Sequence, residues 1–192
     1  MKKRILSISL AIIAIVGITT ISGCKKGEND PFLSLKSRKA RITGEWKLSS
    51  GTITETGSNG GLTSTDVTLY TGSTVSSDGN TSTYSEILTI EKDGTFELAI
   101  VEDGDPFTIR GNWFFSGKNE DADLKKKEAV IFSELEYIYS NGVSKYTGLY
   151  ADQIMIIDQL KNKEMIFKGT ITYSDSDGNS GSYAYDRTFE KN

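Results

Sequence analysis

The chain has 192 residues and carries 22 Lys and Arg against 26 Asp and Glu, which gives a formal net charge of −4. This acidic balance argues against nucleic acid as a partner, because a nucleic-acid site needs basic patches. The chain has no histidine and one cysteine, which excludes Ser-His and Cys-His nucleophile pairs, an internal disulfide and the usual zinc sites. We therefore expect neither an enzyme nor a metal or other cofactor site.

The first 23 residues have the layout of a secretory signal peptide. Three basic residues at positions 2–4 precede a nearly unbroken apolar run over 5–21, and Ile21-Ser22-Gly23 leads directly into Cys24. An apolar residue and two small residues before a cysteine resemble the lipobox of bacterial lipoproteins, in which the thiol receives a diacylglyceryl group. The resemblance implies cleavage before Cys24 and attachment to a membrane by lipid on this residue.

The alternative for this segment is an uncleaved transmembrane helix. The apolar run falls short of the roughly 20 residues that usually span a bilayer. We predict a cleaved leader over 1–23, a lipidated cysteine with a polar tether over 24–31, and one folded domain over 32–192. Lys25 stands where some bacteria place the Asp that retains a lipoprotein in the inner membrane, so we expect the outer membrane, on its periplasmic face or at the cell surface.

The folded domain is expected to begin with a short helix over 30–41. Asp30 is a candidate N-cap, Pro31 suits the first helical turn, and Arg38 and Arg41 lie toward the C-terminal end, where a positive charge suits the helix dipole.

Beyond the helix the hydrophobic period changes to two, which predicts β-strands. The first covers 42–48, and similar runs follow at 62–71, 83–91, 95–101, 107–115, 129–132, 136–139, 146–150, 154–159, 164–173 and 183–190. Hairpin turns are predicted where Asp or Asn precedes Gly, because this pair adopts the positive φ angles of a type I′ turn: Asp78-Gly79, Asp93-Gly94, Asn141-Gly142 and Asp177-Gly178. An antiparallel meander of this length hides its edges by closing into a barrel or by folding into a sandwich.

The first strand carries the motif Gly44-Glu45-Trp46, just after the short helical entry. This resembles the first-strand motif of lipocalins, in which the Trp closes one end of the barrel and an Arg from the last strand lies across its ring. The resemblance implies that Trp46 closes the barrel and that Arg187 lies across its ring. Gly44 would allow the backbone to approach this ring closely. With its leader, the chain resembles the lipocalin-like lipoproteins common in Bacteroidota. We therefore expect an all-β antiparallel barrel of about eight strands with a short N-terminal helix, and a β-sandwich as second choice.

Two functions follow from this fold, because an eight-stranded barrel is either filled by side chains or holds one small ligand. The resemblance implies a small hydrophobic ligand in the barrel. The alternative is a structural or interaction lipoprotein with a filled barrel, which contacts protein or glycan partners through its outer surface. Large side chains on one strand face favour a filled interior: Phe107, Ile109, Trp113 and Phe115, interrupted by Gly111. The candidate ligand-binding residues, for which core packing is the alternative role, are Tyr137, Tyr139, Tyr146 and Tyr150.

The acidic residues form no convincing site. The clusters at 102–105 and 175–179 contain oxygen ligands that calcium prefers, but solvated turns explain them better. Glu134 and Glu136 are neighbours on one predicted strand, whereas a glycosidase needs two carboxyl groups that face each other. We therefore expect no catalytic residue here.

Overall fold

The computed structural model describes residues 36–59, 62–116, 128–148, 151–174 and 180–192. The predicted leader, Cys24, the tether, Tyr150 and the turn at 175–179 lie outside these ranges, as does the beginning of the predicted helix over 30–35. Within the described ranges, no helix is long and apolar enough to cross a membrane.

The described residues form one short α-helix and eleven β-strands, which confirms the predicted all-β class. The helix α1 covers Arg38–Ile42, and a 3-10 turn covers Ala151–Gln153. The strands are β1 Gly44–Asn59, β2 Leu62–Tyr70, β3 Thr74–Ser77, β4 Asn80–Ile90, β5 Thr95–Glu102, β6 Asp105–Ser116, β7 Glu128–Tyr139, β8 Gly142–Tyr146, β9 Ile154–Leu160, β10 Glu164–Ser174 and β11 Ser180–Lys191. All strand pairings are antiparallel.

Ten of these strands close into a barrel, so the expected number of about eight was wrong. The first seven strands pair in sequence, β7 pairs with β9, and β10 and β11 lead back to β1, while β8 pairs with β7. The difference arises from β1, which is 16 residues long. Its beginning, 44–47, pairs directly with β4, whereas 51–59 pairs with β2. The hairpin of β2 and β3 is therefore inserted between β1 and β4 along only one half of the barrel.

The hairpin turns use the residues that such turns require. Asp78 and Gly79 have φ angles of 50° and 79°, as the sequence predicts for a type I′ turn. Asp103 and Gly104, with φ angles of 48° and 87°, form a further hairpin turn inside the acidic cluster at 102–105. The Asp103 carboxylate accepts hydrogen bonds from the backbone N and Oγ1 of Thr83, at 2.8 and 3.2 Å, which lowers its pKa. No group of three side chains that would hold a metal ion is found in the part of the chain that the structure describes.

On β4 and β11 buried and less buried side chains alternate, since successive side chains of a strand point to opposite faces. On β4 the buried side chains are Tyr84, Glu86, Leu88 and Ile90, and on β11 they are Tyr183, Tyr185, Arg187 and Phe189. Strands β4 and β11 thus each carry one charged residue on the inward face, Glu86 and Arg187, among apolar and aromatic neighbours.

Candidate functional site

One end of the barrel is closed around Trp46, and we call it the Trp46 end. The Trp46 side chain is fully buried, and its indole Nε1 donates a hydrogen bond of 2.6 Å to the carbonyl oxygen of Ile42 at the end of α1. Helix α1 is also connected to β7 by an ion pair of 2.6 Å between Arg38 Nε and Glu128 Oε2. The Trp46 end is therefore a packed structural plug.

The cation over the Trp46 ring is Lys191, whereas the sequence predicted Arg187. Lys191 Nζ lies 4.7 Å from the centroid of the indole and donates hydrogen bonds to the carbonyl oxygens of Thr43 and Arg41, at 2.7 and 3.2 Å. The reason is strand register, because Lys191 is the residue of β11 that pairs with Trp46. Gly44 leaves room for this lysine, since a Cβ at its position would lie 2.8 Å from Lys191 Cε.

Arg187 lies deeper in the barrel, where it forms a buried ion pair with Glu86. Its Nη2 donates to Glu86 Oε2, and the exposed fractions of the two residues are 8% and 2%. The same carboxylate oxygen accepts a hydrogen bond of 2.7 Å from the hydroxyl of Tyr84. Tyr70 and Phe189 flank the guanidinium, whose carbon lies 5.2 Å from each ring centroid. The interior thus contains an ion pair surrounded by aromatic rings.

The surroundings of the ion pair fix the protonation states of Arg187 and Tyr84 at neutral pH. Burial acts to lower the pKa of Arg187, but the Glu86 carboxylate and the nearby tyrosines shift it above its usual value. Burial and the negative charge of Glu86 raise the pKa of Tyr84 well above its usual range. Arg187 is therefore charged, and Tyr84 is a neutral hydrogen-bond donor.

A cavity of about 150 Å³ lies beside the ion pair, inside the barrel, and we call it the interior cavity. Its apolar lining consists of Leu88, Phe96, Leu98, Ile109, Phe132, Leu135, Met155, Phe167 and Phe189. Its polar lining consists of Glu86, Arg187, Tyr137, Tyr183, Asp152 and Gln153. Side chains fill most of the barrel, but a void remains next to two buried charges.

The 3-10 turn Ala151–Gln153 brings two further polar side chains to the interior cavity. Gln153 is 3% exposed, and burial raises the pKa of the Asp152 carboxyl above its usual value. The turn ends at Gln153, immediately before Ile154, where β9 begins. The turn therefore provides a partly hydrated carboxyl at the edge of the cavity.

The predicted tyrosines form a row that leads from the interior cavity to the surface. Tyr137 lines the cavity and contacts Tyr146 edge to face at 5.0 Å and Tyr139 in a stacked arrangement at 6.5 Å, between ring centroids. Tyr139 also stacks on Phe107 at 5.9 Å. Tyr139 and Tyr146 are each 45% exposed. The structure therefore brings three of the four predicted tyrosines together, and Tyr150 lies outside the described residues.

The paired carboxylates of β7 have separate local partners. Glu136 forms an ion pair of 2.8 Å with Lys145 on β8, and this hydrogen bond lowers the pKa of Glu136. Glu134 has a positive φ angle of 54° near the register shift between β6 and β7, and its carboxylate accepts a hydrogen bond of 2.5 Å from Asn112. Both glutamates therefore take part in cross-strand contacts of the barrel wall.

The main residue that the sequence analysis missed is Glu86. Its signal is present in the sequence, because Tyr84, Glu86, Leu88 and Ile90 share one face of a strand that is otherwise apolar on that face. A charged residue in such a position is buried and needs a partner.

A scan against protein-family models and searches of the curated proteins and of the solved structures found no match to this chain. The resemblance to lipocalin-like lipoproteins stays a prediction from the sequence.

Proposed function

We propose that this chain is a membrane-anchored lipoprotein whose barrel binds one small, largely apolar molecule in its interior. The observation that supports ligand binding most directly is the interior cavity of about 150 Å³, with aliphatic and aromatic walls and the Glu86–Arg187 ion pair. Sites for small molecules combine an apolar lining with a few polar groups that fix the orientation of the ligand. The anchor is proposed from Cys24 and the leader that precedes it.

The size of the cavity restricts the ligand. Pockets for drug-sized molecules have volumes of roughly 300–1,000 Å³, whereas this cavity has about 150 Å³. An engineered apolar cavity of about that volume in another protein binds benzene. The ligand proposed here therefore has the size of one six-membered ring with a short substituent.

Native mass spectrometry of the full chain, incubated with a lipid and metabolite extract of its host, tests ligand binding. We expect a retained mass slightly above that of benzene. The matched control is Leu98→Phe, because Leu98 is partly buried and lines the cavity, so a larger ring fills the void. The control should lose the retained mass. A clean spectrum of the unmodified chain over several extracts would contradict ligand binding.

The anchor has its own test, which does not depend on the barrel. We expect Cys24→Ser to abolish lipid attachment and leader cleavage, as seen in the intact mass, because Cys24 is the only cysteine of the chain. The matched control is Lys25→Ala, which changes the next residue but keeps the thiol, and it should still be cleaved and lipidated. Unchanged mass and unchanged membrane fractionation of Cys24→Ser would show that the leader is an uncleaved transmembrane anchor.

A second candidate function is contact with a glycan or protein partner through the outer surface. It is favoured by the exposed apolar side chains of the hairpin of β7 and β8, where Tyr139, Val143 and Tyr146 have exposed fractions of 45%, 55% and 45%. Binding of the full chain to a glycan array tests this candidate. Loss of the signal in Tyr146→Ser would support it, and equal signals for both chains would contradict it.

A further inference from the structure

The Glu86–Arg187 ion pair points to the chemistry of the ligand. We propose that the interior cavity recognises an uncharged polar group that both donates and accepts hydrogen bonds, with a hydroxyl as the simplest case. Glu86 accepts from this group and Arg187 donates to it. This inference rests on the proposed function, because it names the ligand class of the same cavity.

A buried ion pair is weak evidence for a role in the stability of the barrel. Burying two charges carries a large desolvation penalty, and well-packed apolar residues of similar volume are often as stable or more stable. The neighbours of the pair are suited to apolar packing, because Leu88 and Phe189 stand two positions away on the same inward faces. A role in binding therefore provides a reason for two charges at these inward positions.

The pair also has hydrogen-bonding capacity that the protein does not use. Glu86 Oε2 accepts from both Tyr84 and Arg187. Among the described residues, Glu86 Oε1 and Arg187 Nε have no hydrogen-bond partner, although both atoms are buried. Buried polar atoms of this kind usually have a partner, and each exception calls for an explanation. One acceptor and one donor on the same pair match a hydroxyl, which has both functions.

The charge of the cavity selects against ionised ligands. The Glu86 carboxylate already neutralises the Arg187 guanidinium, and Asp152 is a further carboxyl in the lining. A ligand carboxylate would therefore meet Glu86 at short range, and a ligand ammonium would meet Arg187. An uncharged polar group avoids both repulsions.

Three probes of similar size test the inference on the unmodified full chain: benzene, phenol and benzoate. We expect phenol to bind about tenfold more tightly than benzene, as one hydrogen bond to a charged group predicts, and benzoate to bind most weakly. Titration calorimetry or chemical-shift titration measures the affinities. Equal binding of benzene and phenol would overturn the inference and leave the proposed function intact. Preferred binding of benzoate would likewise overturn it. Failure of all three to bind would contradict the proposed function itself.

A variant that removes the charge of Glu86 provides a second test. Its affinity for benzoate would not change if the ion pair had only a structural role. Glu86→Gln keeps an oxygen that accepts from Tyr84 but leaves the charge of Arg187 unbalanced. We expect it to bind benzoate about tenfold more tightly than the unmodified chain does, because the anion now supplies the missing negative charge. The matched control is Glu97→Gln, which breaks the surface ion pair with Arg110 and should leave all three affinities unchanged. Unchanged benzoate binding by a folded Glu86→Gln would overturn the inference. If that variant does not fold, the affinities of the three probes for the unmodified chain still decide whether the inference holds.

Discussion

The Trp46 end and the interior cavity are built from the same alternating strands, but Trp46 and Lys191 have different hydrogen-bond partners from Glu86 and Arg187. At the Trp46 end, the indole N–H and the Lys191 ammonium donate to backbone carbonyl oxygens of 41–43. In the interior cavity, Glu86 and Arg187 bind each other and leave one acceptor and one donor without a partner in the described part of the chain. Hydrogen bonds from Trp46 and Lys191 to the backbone stabilise the fold, whereas the unused acceptor and donor beside a void support the proposed binding site.

The largest expected effect is at the Trp46 end. We expect Trp46→Ala to lower the free energy of unfolding by about 3–5 kcal/mol, because it removes a fully buried aromatic side chain and leaves a cavity. Urea denaturation measures the change. Phe114→Ala is the control, because Phe114 is 49% exposed on the outside of β6. A loss in Trp46→Ala no larger than in the control would mean that this end does not stabilise the barrel.

The second largest effect is expected in the interior cavity. Arg187→Met leaves the Glu86 carboxylate buried without its counter-charge, and we expect a loss of about 3 kcal/mol in the free energy of unfolding. The double variant Glu86→Leu/Arg187→Met should recover most or all of this loss, because both charges are then absent. Denaturation of both variants measures the difference.

A surface pair provides the control for that experiment. Arg110 and Glu97 are 56% and 44% exposed in their side chains, so Arg110→Met should change stability by less than about 1 kcal/mol. If the double variant is as unstable as Arg187→Met alone, the ion pair is needed for folding. The contrast between the Trp46 end and the interior cavity then fails.

A smaller difference in stability is expected between variants of Lys191 and Lys39, the two cations that lie over tryptophan rings. Lys191→Met removes a contact of 4.7 Å with the Trp46 ring and two hydrogen bonds to the backbone, and we expect a loss of about 1 kcal/mol. Lys39 is exposed and lies 5.9 Å from the Trp113 ring. Lys39→Met should therefore change stability little. Equal losses in the two variants, measured by denaturation followed by tryptophan fluorescence, would show that the cation over Trp46 has no special role.

The sequence predicted the all-β class and most strands because their apolar residues alternate. It missed β3 and the second half of β1, since Thr74–Ser77 and 49–59 are mostly polar on both faces and carry little alternation. The second half of β1 pairs with β2, and β2 pairs with β3, so the inserted hairpin of β2 and β3 accounts for the difference between about eight and ten strands. Polar strands of this kind are recognised only from the partners with which they pair.

The candidate site was less predictable than the fold. Tyr137, Tyr139 and Tyr146 stand out as aromatic residues, but their row depends on the pairing of β7 with β8. Lys191, and not the predicted Arg187, lies over the Trp46 ring because of the register of β1 against β11, in which Arg187 pairs with Gly51. Register over long sequence separations is set by the whole barrel, so a local pattern does not contain it.

The smallest expected effect concerns the carboxyl at the edge of the interior cavity. Burial raises the pKa of Asp152 in the folded state above its unfolded value of 3.8, so ionising this group disfavours folding. We expect Asp152→Asn to be slightly more stable than the unmodified chain at pH 7, by less than about 1 kcal/mol because solvent still reaches the carboxyl. As the pH falls through the folded pKa and then below 3.8, the unmodified chain becomes protonated in both states and the difference should vanish. Denaturation of both chains from neutral to acidic pH measures it, and a difference that grows toward low pH would show that the Asp152 carboxylate is stabilised, not destabilised, by its surroundings.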